Sequence, residues 1–285
     1  METDRRVWLL DASIYIFRAW FSMPDRWYSP LGMPLNAVYG YASFLMDLIQ
    51  GIQPASYLGA AFDESLGSCF RNEIYAGYKS SRELPDEALA FQLQTCRELT
   101  LLAGINCYGG ARYEADDYLA SLAALAKASS LPITVVTRDK DLGQLLGAEG
   151  DHWWDFSADV TLDHKGFSER FGVEPRQFAD YLALVGDSID DIPGVPGVGP
   201  KTAAQLLKAM GSLEAIAENM DTVAELDLRG ARKLAPKLRS HWSQVELSRQ
   251  LAQLASSIPG VDDLPIFEMS TDALDSVADY LDGLG

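Results

Sequence analysis

Carboxylates are the residues of this chain best placed to do chemistry. They fall in groups: Tyr113-Glu114-Ala115-Asp116-Asp117, Asp139-Lys140-Asp141 and Gly186-Asp187-Ser188-Ile189-Asp190-Asp191. Asp11 and Asp63 stand singly after apolar runs. Any one of these acids could simply cap a helix. Together they would repel one another unless cations lay among them. An all-oxygen donor set suits Mg²⁺ or Mn²⁺ rather than zinc. Two such ions about 4 Å apart activate a water and stabilise the leaving oxygen in phosphodiester cleavage. Glu114 and Asp117 share a helix face at i,i+3 while Asp116 points elsewhere, so one helix start could serve two ions. No histidine is needed as a base, and surface or structural roles are expected for His152, His164 and His241.

The acids need elements that bring them together. Val7–Leu10 is a short apolar run that ends in Asp11, Tyr57–Phe62 ends in Asp63, and Ile133–Thr137 is followed by Arg138 and Asp139. Each reads as a buried strand of a parallel sheet with an acid at its carboxyl end. Helical patterns lie between them, at Ala37–Ile49 and Tyr113–Ala128. The expected fold is α/β, with a central mostly parallel sheet flanked by helices. Ligands of such sheets bind at the carboxyl ends of the strands, where the three aspartates would converge.

Phe70–Leu84 differs in kind, being rich in Arg, Lys and Tyr. Pro85 interrupts it, and a second helix is expected at roughly 86–103, so that about 68–103 would form a helical arch inserted between strands. Arg71, Tyr75, Lys79 and Arg82 are spaced 4, 4 and 3, one stripe if the segment is helical, with Tyr78 beside it. Cations interleaved with rings suit single-stranded or frayed nucleic acid. Gly77 lowers helix propensity by about 1 kcal/mol, which suggests ordering on substrate. Farther along, Gly194-Val-Pro-Gly197-Val-Gly199-Pro-Lys201-Thr202 sits between helical patterns at Phe178–Val185 and Thr202–Met210. Its glycines allow backbone N–H groups to approach a phosphate at a helix start, and Lys201 adds charge. Gly197, Gly199, Lys201 and Thr202 are therefore candidate DNA contacts. The carbonyls of Pro193, Val195 and Val198 could hold a monovalent cation.

The net charge of −18 over 285 residues argues at first against nucleic acid. The acids are localised, however: from Leu251 onward there are acids and no Lys or Arg. DNA binding would have to use local basic patches. Three cysteines, Cys69, Cys96 and Cys107, form no C-x-x-C pair, which fits a reducing compartment. With no signal peptide or membrane span in the pattern, a cytoplasmic protein without membrane contact is expected.

These motifs, in this order, resemble the 5′-nuclease (flap endonuclease) family, in particular the 5′–3′ exonuclease domain found at the N-terminus of bacterial DNA polymerase I. The resemblance is carried by Phe70-Arg-Asn-Glu-Ile-Tyr-Ala-Gly-Tyr-Lys-Ser-Ser-Arg82, Tyr113–Tyr118, Thr137–Leu142 with Gln144-Leu-Leu, and Gly186–Thr202. Ser212–Ile216 and Leu228–Arg232 add to it, and together these cover roughly residues 5–260. It implies a structure-specific 5′–3′ exonuclease or flap endonuclease that hydrolyses DNA with two Mg²⁺ or Mn²⁺ ions. By resemblance, Asp11, Asp63, Glu114, Asp116, Asp139 and Asp141 belong to one metal site and its surroundings. Asp117, Asp187 and Asp190 belong to the second. Lys79 and Arg82 match the arch residues that position the scissile phosphate; Arg71 and Tyr78 match neighbouring family positions. Ile192–Lys201 matches the helix-three-turn-helix that grips duplex and binds K⁺.

Two departures matter: Asp191 stands where the family has Asn, and no polymerase follows in this sequence, so a stand-alone exonuclease is expected. The implied layout is a nuclease core at 1–166, a duplex-binding helical subdomain at 167–260 and an acidic tail at 261–285. The expected partner of this monomer is branched or nicked DNA with a 5′ end or flap, with an RNA–DNA hybrid as a further candidate. The rival reading is a catalytically weak junction binder, disfavoured by the complete acid set. A dehalogenase-type phosphatase is disfavoured because Asp11-Ala12-Ser13 lacks a second acid.

Overall fold

A computed structural model describes residues 5–147, 149–228 and 230–285; Arg229, inside one of the motifs above, lies outside them. Six strands form one sheet: β1 (Val7–Asp11), β2 (Leu58–Ala61), β3 (Asn106–Tyr108), β4 (Ile133–Val136), β5 (His152–Asp155) and β6 (Val160–Leu162). The order is β3-β2-β1-β4-β5-β6, parallel except for β6, which runs antiparallel to β5. The helices are α1 (Ala12–Ser22), α2 (Asn36–Gly51), α3 (Phe70–Ile74), α4 (Glu87–Leu102), α5 (Ala115–Ala128), α6 (His164–Phe171), α7 (Phe178–Val185) and α8 (Pro200–Met210). They continue with α9 (Leu213–Glu218), α10 (Ala231–Ser240), α11 (Trp242–Ala252) and α12 (Thr271–Leu284).

The three strands expected from their apolar runs are the three central ones. β1 pairs with β2 on one side and β4 on the other, with Leu10 level with Ala60 and Val136. Chain reversal at their carboxyl ends therefore delivers Asp11, Asp63 and Asp139 to one edge. One sheet face is covered by α1, α2 and α4 around Ile16, Val38, Leu45 and Leu99. The other is covered by α5, with Leu119, Leu122 and Ala126 packed on Leu9 and Val135. A separate apolar core, built on Phe167, Phe178, Leu206 and Leu238, holds α6 to α11 together. Among the described residues, no helix is long and apolar enough to cross a membrane, and the three cysteines are free.

Three features depart from the sequence reading. β3, β5 and β6 are short outer strands of three or four residues, too brief for a period-two pattern to show. The arch is smaller than expected, because α4 is a core helix: Asp86 caps it by accepting from Leu89 N (2.8 Å), and Gln92, Thr95, Cys96, Leu99 and Thr100 are buried. Their spacing is that of one buried helical stripe. The acidic tail is also part of the fold. Pro265 O accepts from Leu58 N and Phe267 N donates to Ser56 O, both at 2.9 Å. α12 buries Val277, and Tyr280 Oη donates to Glu98 Oε2 (2.5 Å). Asp272, Asp275, Asp279 and Asp282 lie on its exposed face, so the charge hid an amphipathic helix.

Candidate active site

Two neighbouring cavities open at the carboxyl edge of the sheet. The first, of about 200 Å³, is lined by Asp11, Asp63, Glu114, Asp116, Asp139 and Asp190, with Lys79 and Arg82 at its wall. The second, of about 350 Å³, is lined by Asp139, Asp141, Asp187 and Asp190, again with Arg82. Asp139 and Asp190 line both. Eight of the nine acids singled out in the sequence thus meet around two connected spaces. Asp141, grouped with the first set by resemblance, lines the second cavity.

Local structure fixes each acid. Thr137 Oγ1 donates to Asp11 Oδ2 (2.8 Å) and accepts from Asp139 N (2.9 Å), tying β1 to the β4 loop. Asp139 Oδ1 accepts from Asp141 N (2.8 Å). Ser13 Oγ accepts from Asp63 N (2.8 Å). Lys140 Nζ, 2.9 Å from Asp187 Oδ2, helps hold that carboxyl below the usual range against the opposing effect of burial. The sequence reading gave Thr137, Ser13 and Lys140 no role of their own, since nothing but their adjacency to the acids marks them.

The acids are short of positive charge. Burial, reinforced by Asp139, pushes the Asp11 carboxyl up to about 7, with Thr137 working the other way. Burial and Asp139 likewise raise Asp141 to about 7, and they raise Asp116 well above its ordinary value. Asp141 Oδ1 receives no hydrogen bond and faces the Lys140 ammonium at 3.3 Å. Such a donor set fits hard divalent cations. No group of three or more acidic, histidine or cysteine side chains is drawn into a closed cage among the described residues. The carboxylates are spread around the walls of the two cavities.

Lys79 and Arg82 supply part of the missing charge. Lys79 Nζ contacts Glu114 Oε1 and lies 3.8 Å from Asp190 Oδ2. Arg82 Nη2 contacts Asp190 Oδ1 at 2.5 Å. Both come from a tight turn, not from the helix expected. α3 stops at Ile74, Tyr75 is extended, and Lys79 takes a φ of 50°. The cause is visible at Gly77, where a Cβ would lie 2.6 Å from the Tyr75 ring. Arg71, Tyr75, Lys79 and Arg82 therefore form no common stripe, and Tyr75 packs against the helical-domain core.

The turn is held from across the site. Lys79 N donates to Asp190 O (3.0 Å), and Ser81 N donates to Asp191 Oδ2 (2.8 Å). Asp191, the departure from the family pattern, thus anchors the turn that carries both cations. Its φ of 54° is a conformation that Asp, Asn and Gly tolerate. Asp191→Gly keeps that conformation and loses the acceptor. It is expected to lower kcat about tenfold by loosening the turn, while Asp191→Asn restores the rate. An unchanged rate in the glycine variant would show that the anchor is dispensable.

Two corrections concern the interior. Arg71 is 1% exposed and Tyr78 4%, so neither offers a surface to a nucleic acid strand. Arg71 forks onto Asp117, with Nη1 to Oδ2 at 2.7 Å and Nη2 to Oδ1 at 2.8 Å, and Nη1 also reaches Glu114 Oε2 at 2.7 Å. Tyr78 Oη donates to Glu114 Oε2 (2.9 Å). Asp117 further accepts from Glu114 N and Ala255 N. Both its oxygens are thereby committed, and it lines neither cavity. The i,i+3 relation with Glu114 closes the start of α5 instead of presenting two acids to one ion. For Glu114, Lys79 and Arg71 outweigh burial and hold the carboxyl below the usual range.

The glycine turn joins α7 to α8. A Cβ on Gly194 would lie 2.1 Å from Val185 O, so only glycine allows this close approach. Asp187 and Ile192 exchange two backbone hydrogen bonds (2.9 and 2.8 Å), which closes the loop carrying Asp190. Gly199 N-caps α8, with Pro200 in its first turn. Gly197 and Lys201 are exposed, and Gly199 and Thr202 are half-buried. Pro193 O accepts from Ser248 Oγ, and Val195 O accepts from Val198 N at 2.9 Å; the Val195 and Val198 side chains are buried. Lys237 of α10, which the sequence reading missed, lies against the turn: a Cβ on Gly197 would meet its Nζ at 2.9 Å. The histidines are remote from the acids, with His152 Nδ1 on Arg6 and His241 Nδ1 on Lys237 O.

Comparison with known proteins decides the family. Residues 6–172 match the 5′-3′ exonuclease N-terminal resolvase-like domain, and residues 173–273 match the 5′-3′ exonuclease C-terminal SAM fold. The chain belongs to the 5′-3′ exonuclease family. It is 37% identical over 217 residues to a 5′-3′ exonuclease of Aquifex aeolicus, covering 76% of this chain and 74% of that one. It is 33% identical over 266 residues to DNA polymerase I of Rhizobium leguminosarum, covering 91% of this chain and 25% of the relative. The chain thus spans only about a quarter of that polymerase's length. Among solved structures, T5 5′-exonuclease with bound divalent metal ions (zinc) matches with a TM-score of 0.69 and 20% identity, over 99% of this chain and 100% of that one. The catalytic core of Rad2 in complex with a DNA substrate matches with a TM-score of 0.61 and 19% identity, over 99% and 87%. At these identities the two structures establish the shared fold.

Proposed function

We propose that this chain is a divalent-metal-dependent 5′-nuclease that cuts DNA near a 5′ end or branch junction. The observation that carries this reading is the pair of connected acidic cavities, with Asp139 and Asp190 lining both and Lys79 and Arg82 at their wall. Asp11, Asp63, Glu114, Asp116 and Asp139 would hold one cation; Asp141, Asp187 and Asp190 would complete the second site. Mg²⁺ or Mn²⁺, when bound there, supplies water activation and neutralisation of charge on the leaving oxygen. Asp117 is left out of the metal-holding set, because it is fully buried and, unlike Glu114, lines neither cavity.

The chain's own residues then divide the work. Arg82, half exposed at the cavity wall, can move from Asp190 to a non-bridging phosphate oxygen. Its planar fork suits that geometry. Lys79, more enclosed, remains charged: Glu114 and Asp190 outweigh burial and raise its pKa. It is positioned to meet charge that builds on the scissile phosphate. The Gly194–Lys201 turn, with Lys201 and Lys237, would grip duplex backbone without reading sequence. The carbonyls of Pro193, Val195 and Val198 are the proposed seat of a K⁺ ion there.

Cleavage mapping tests the reading. With end-labelled 5′-flap, nicked and blunt duplexes in Mg²⁺, products should arise within a few nucleotides of the 5′ end or junction. Random internal cleavage, or cleavage of single strands alone, would contradict it. An RNA–DNA hybrid in the same series tests the wider substrate class.

A further inference from the structure

We propose that Arg170, with Arg138 beside it, forms a phosphate contact for the DNA strand where it runs from the acidic centre toward the glycine turn. The proposal rests on the nuclease reading above for its substrate and extends it to residues that reading does not use. Both arginines line the second cavity, together with Asp139, Asp141, Asp187 and Ile189. The last two belong to the loop that closes on Ile192 and leads directly into the turn. This cavity therefore lies on the duplex-gripping side of the acids, and the first cavity lies on the side of Lys79 and Glu114.

The other cations of the second cavity are engaged. Lys140 is paired with Asp187 and Asp141, and Arg82 with Asp190. Arg138 uses Nε on Asp155 Oδ2 at 3.1 Å, with its side chain 47% exposed. Arg170 is different. It stands exposed in the last turn of α6, and it makes no ion pair with a carboxylate among the described residues. Its guanidinium carbon lies 6.0 Å from the centroid of Trp153 and 5.7 Å from that of Phe171. The rings hold the cation in place without neutralising it. A weakly hydrated guanidinium oriented over two rings and in contact with no carboxylate is prepared for a planar, bidentate phosphate contact. Its setting beside four carboxylates disfavours a free small anion there. A phosphodiester held at both ends by a longer strand overcomes that repulsion.

The test is a binding measurement that needs no turnover. Fluorescence anisotropy in EDTA would compare a labelled 5′-flap duplex with its labelled single strand, for wild type, Arg170→Gln and Arg170→Lys. Arg170→Gln should weaken duplex binding about tenfold, the scale of one lost charge-assisted contact. It should make the dependence of log Kd on log salt shallower by about 1. Single-strand binding should not change, and Arg170→Lys should recover part of the loss. Arg138→Gln should act in the same direction. Unchanged duplex affinity and salt slope in Arg170→Gln, or equal loss on both ligands, would overturn the proposal. Failure of wild type to cleave in Mg²⁺, with these binding differences intact, would count against the nuclease reading alone.

Discussion

Lys79→Ala is expected to lower kcat on a 5′-flap duplex by about 10²–10³-fold, the usual scale for a lost donor to developing transition-state charge. Duplex affinity should change by less than about threefold, since an enclosed cation adds little to a long electrostatic footprint. The argument is local. Lys79 is carried by a turn whose backbone is tied to Asp190 and Asp191, and its side chain is 10% exposed inside the acidic cavity. It is therefore placed by the fold before substrate arrives. Single-turnover rates beside equilibrium binding separate the two effects. Equal losses in rate and affinity would make Lys79 a binding residue and remove it from the chemical step.

The second large effect is on stability. Arg71→Met leaves Asp117, fully buried, and Glu114 without their shared guanidinium. Removing one partner of a buried ion pair costs about 3–5 kcal/mol, because the remaining charge has no counter-ion. Arg71 Nε and Nη2 also donate to the carbonyls of Leu251 (2.8 Å) and Gln253 (2.9 Å). The same guanidinium therefore pins the end of α11 to the start of α5 and joins the helical domain to the sheet. Thermal melting should show a midpoint lowered by roughly 5–8 °C for a chain of this size. Arg71→Lys should restore only part of it, for an ammonium cannot fork onto Asp117. A melting curve unchanged in Arg71→Met would refute this account of how the two domains are held.

What the sequence disclosed, and what it hid, follows from the range of each signal. The three central strands were legible because each is a short apolar run with an acid within two residues of its end, a pattern contained within seven residues. Asp11, Asp63 and Asp139 stood out for the same reason, and Glu114, Asp116, Asp141, Asp187 and Asp190 by their clustering; all eight line the two cavities. Asp117 was misplaced because helical spacing tells which face a side chain shares, not whether a distant arginine has claimed it; Arg71 lies 46 positions away. The arch stripe failed through a conflict of signals. The spacing of Arg71, Tyr75, Lys79 and Arg82 asked for a helix, while Gly77 lets the chain turn with the Tyr75 ring packed where a side chain would otherwise stand. The acidic C-terminal segment was read by its charge, which concealed the spacing of Val277, Tyr280, Leu281 and Leu284 that packs α12 onto the main core. Arg170 carries no sequence signal and Asp191 showed only as a departure from the family pattern, because their roles arise from what the fold brings beside them.

The most direct test of the central claim is cleavage of a labelled 5′-flap duplex by wild type and by Asp116→Asn, each with Mg²⁺, Mn²⁺ or EDTA. Asp116 lines the cavity shared with Lys79, and its replacement removes a charge without changing shape. Wild type should release a short 5′ product with either metal and none in EDTA. The variant should melt as wild type does, bind the duplex and leave it essentially uncut. Full cleavage by the variant, or cleavage by wild type in EDTA, would contradict a metal-dependent nuclease centred on these carboxylates.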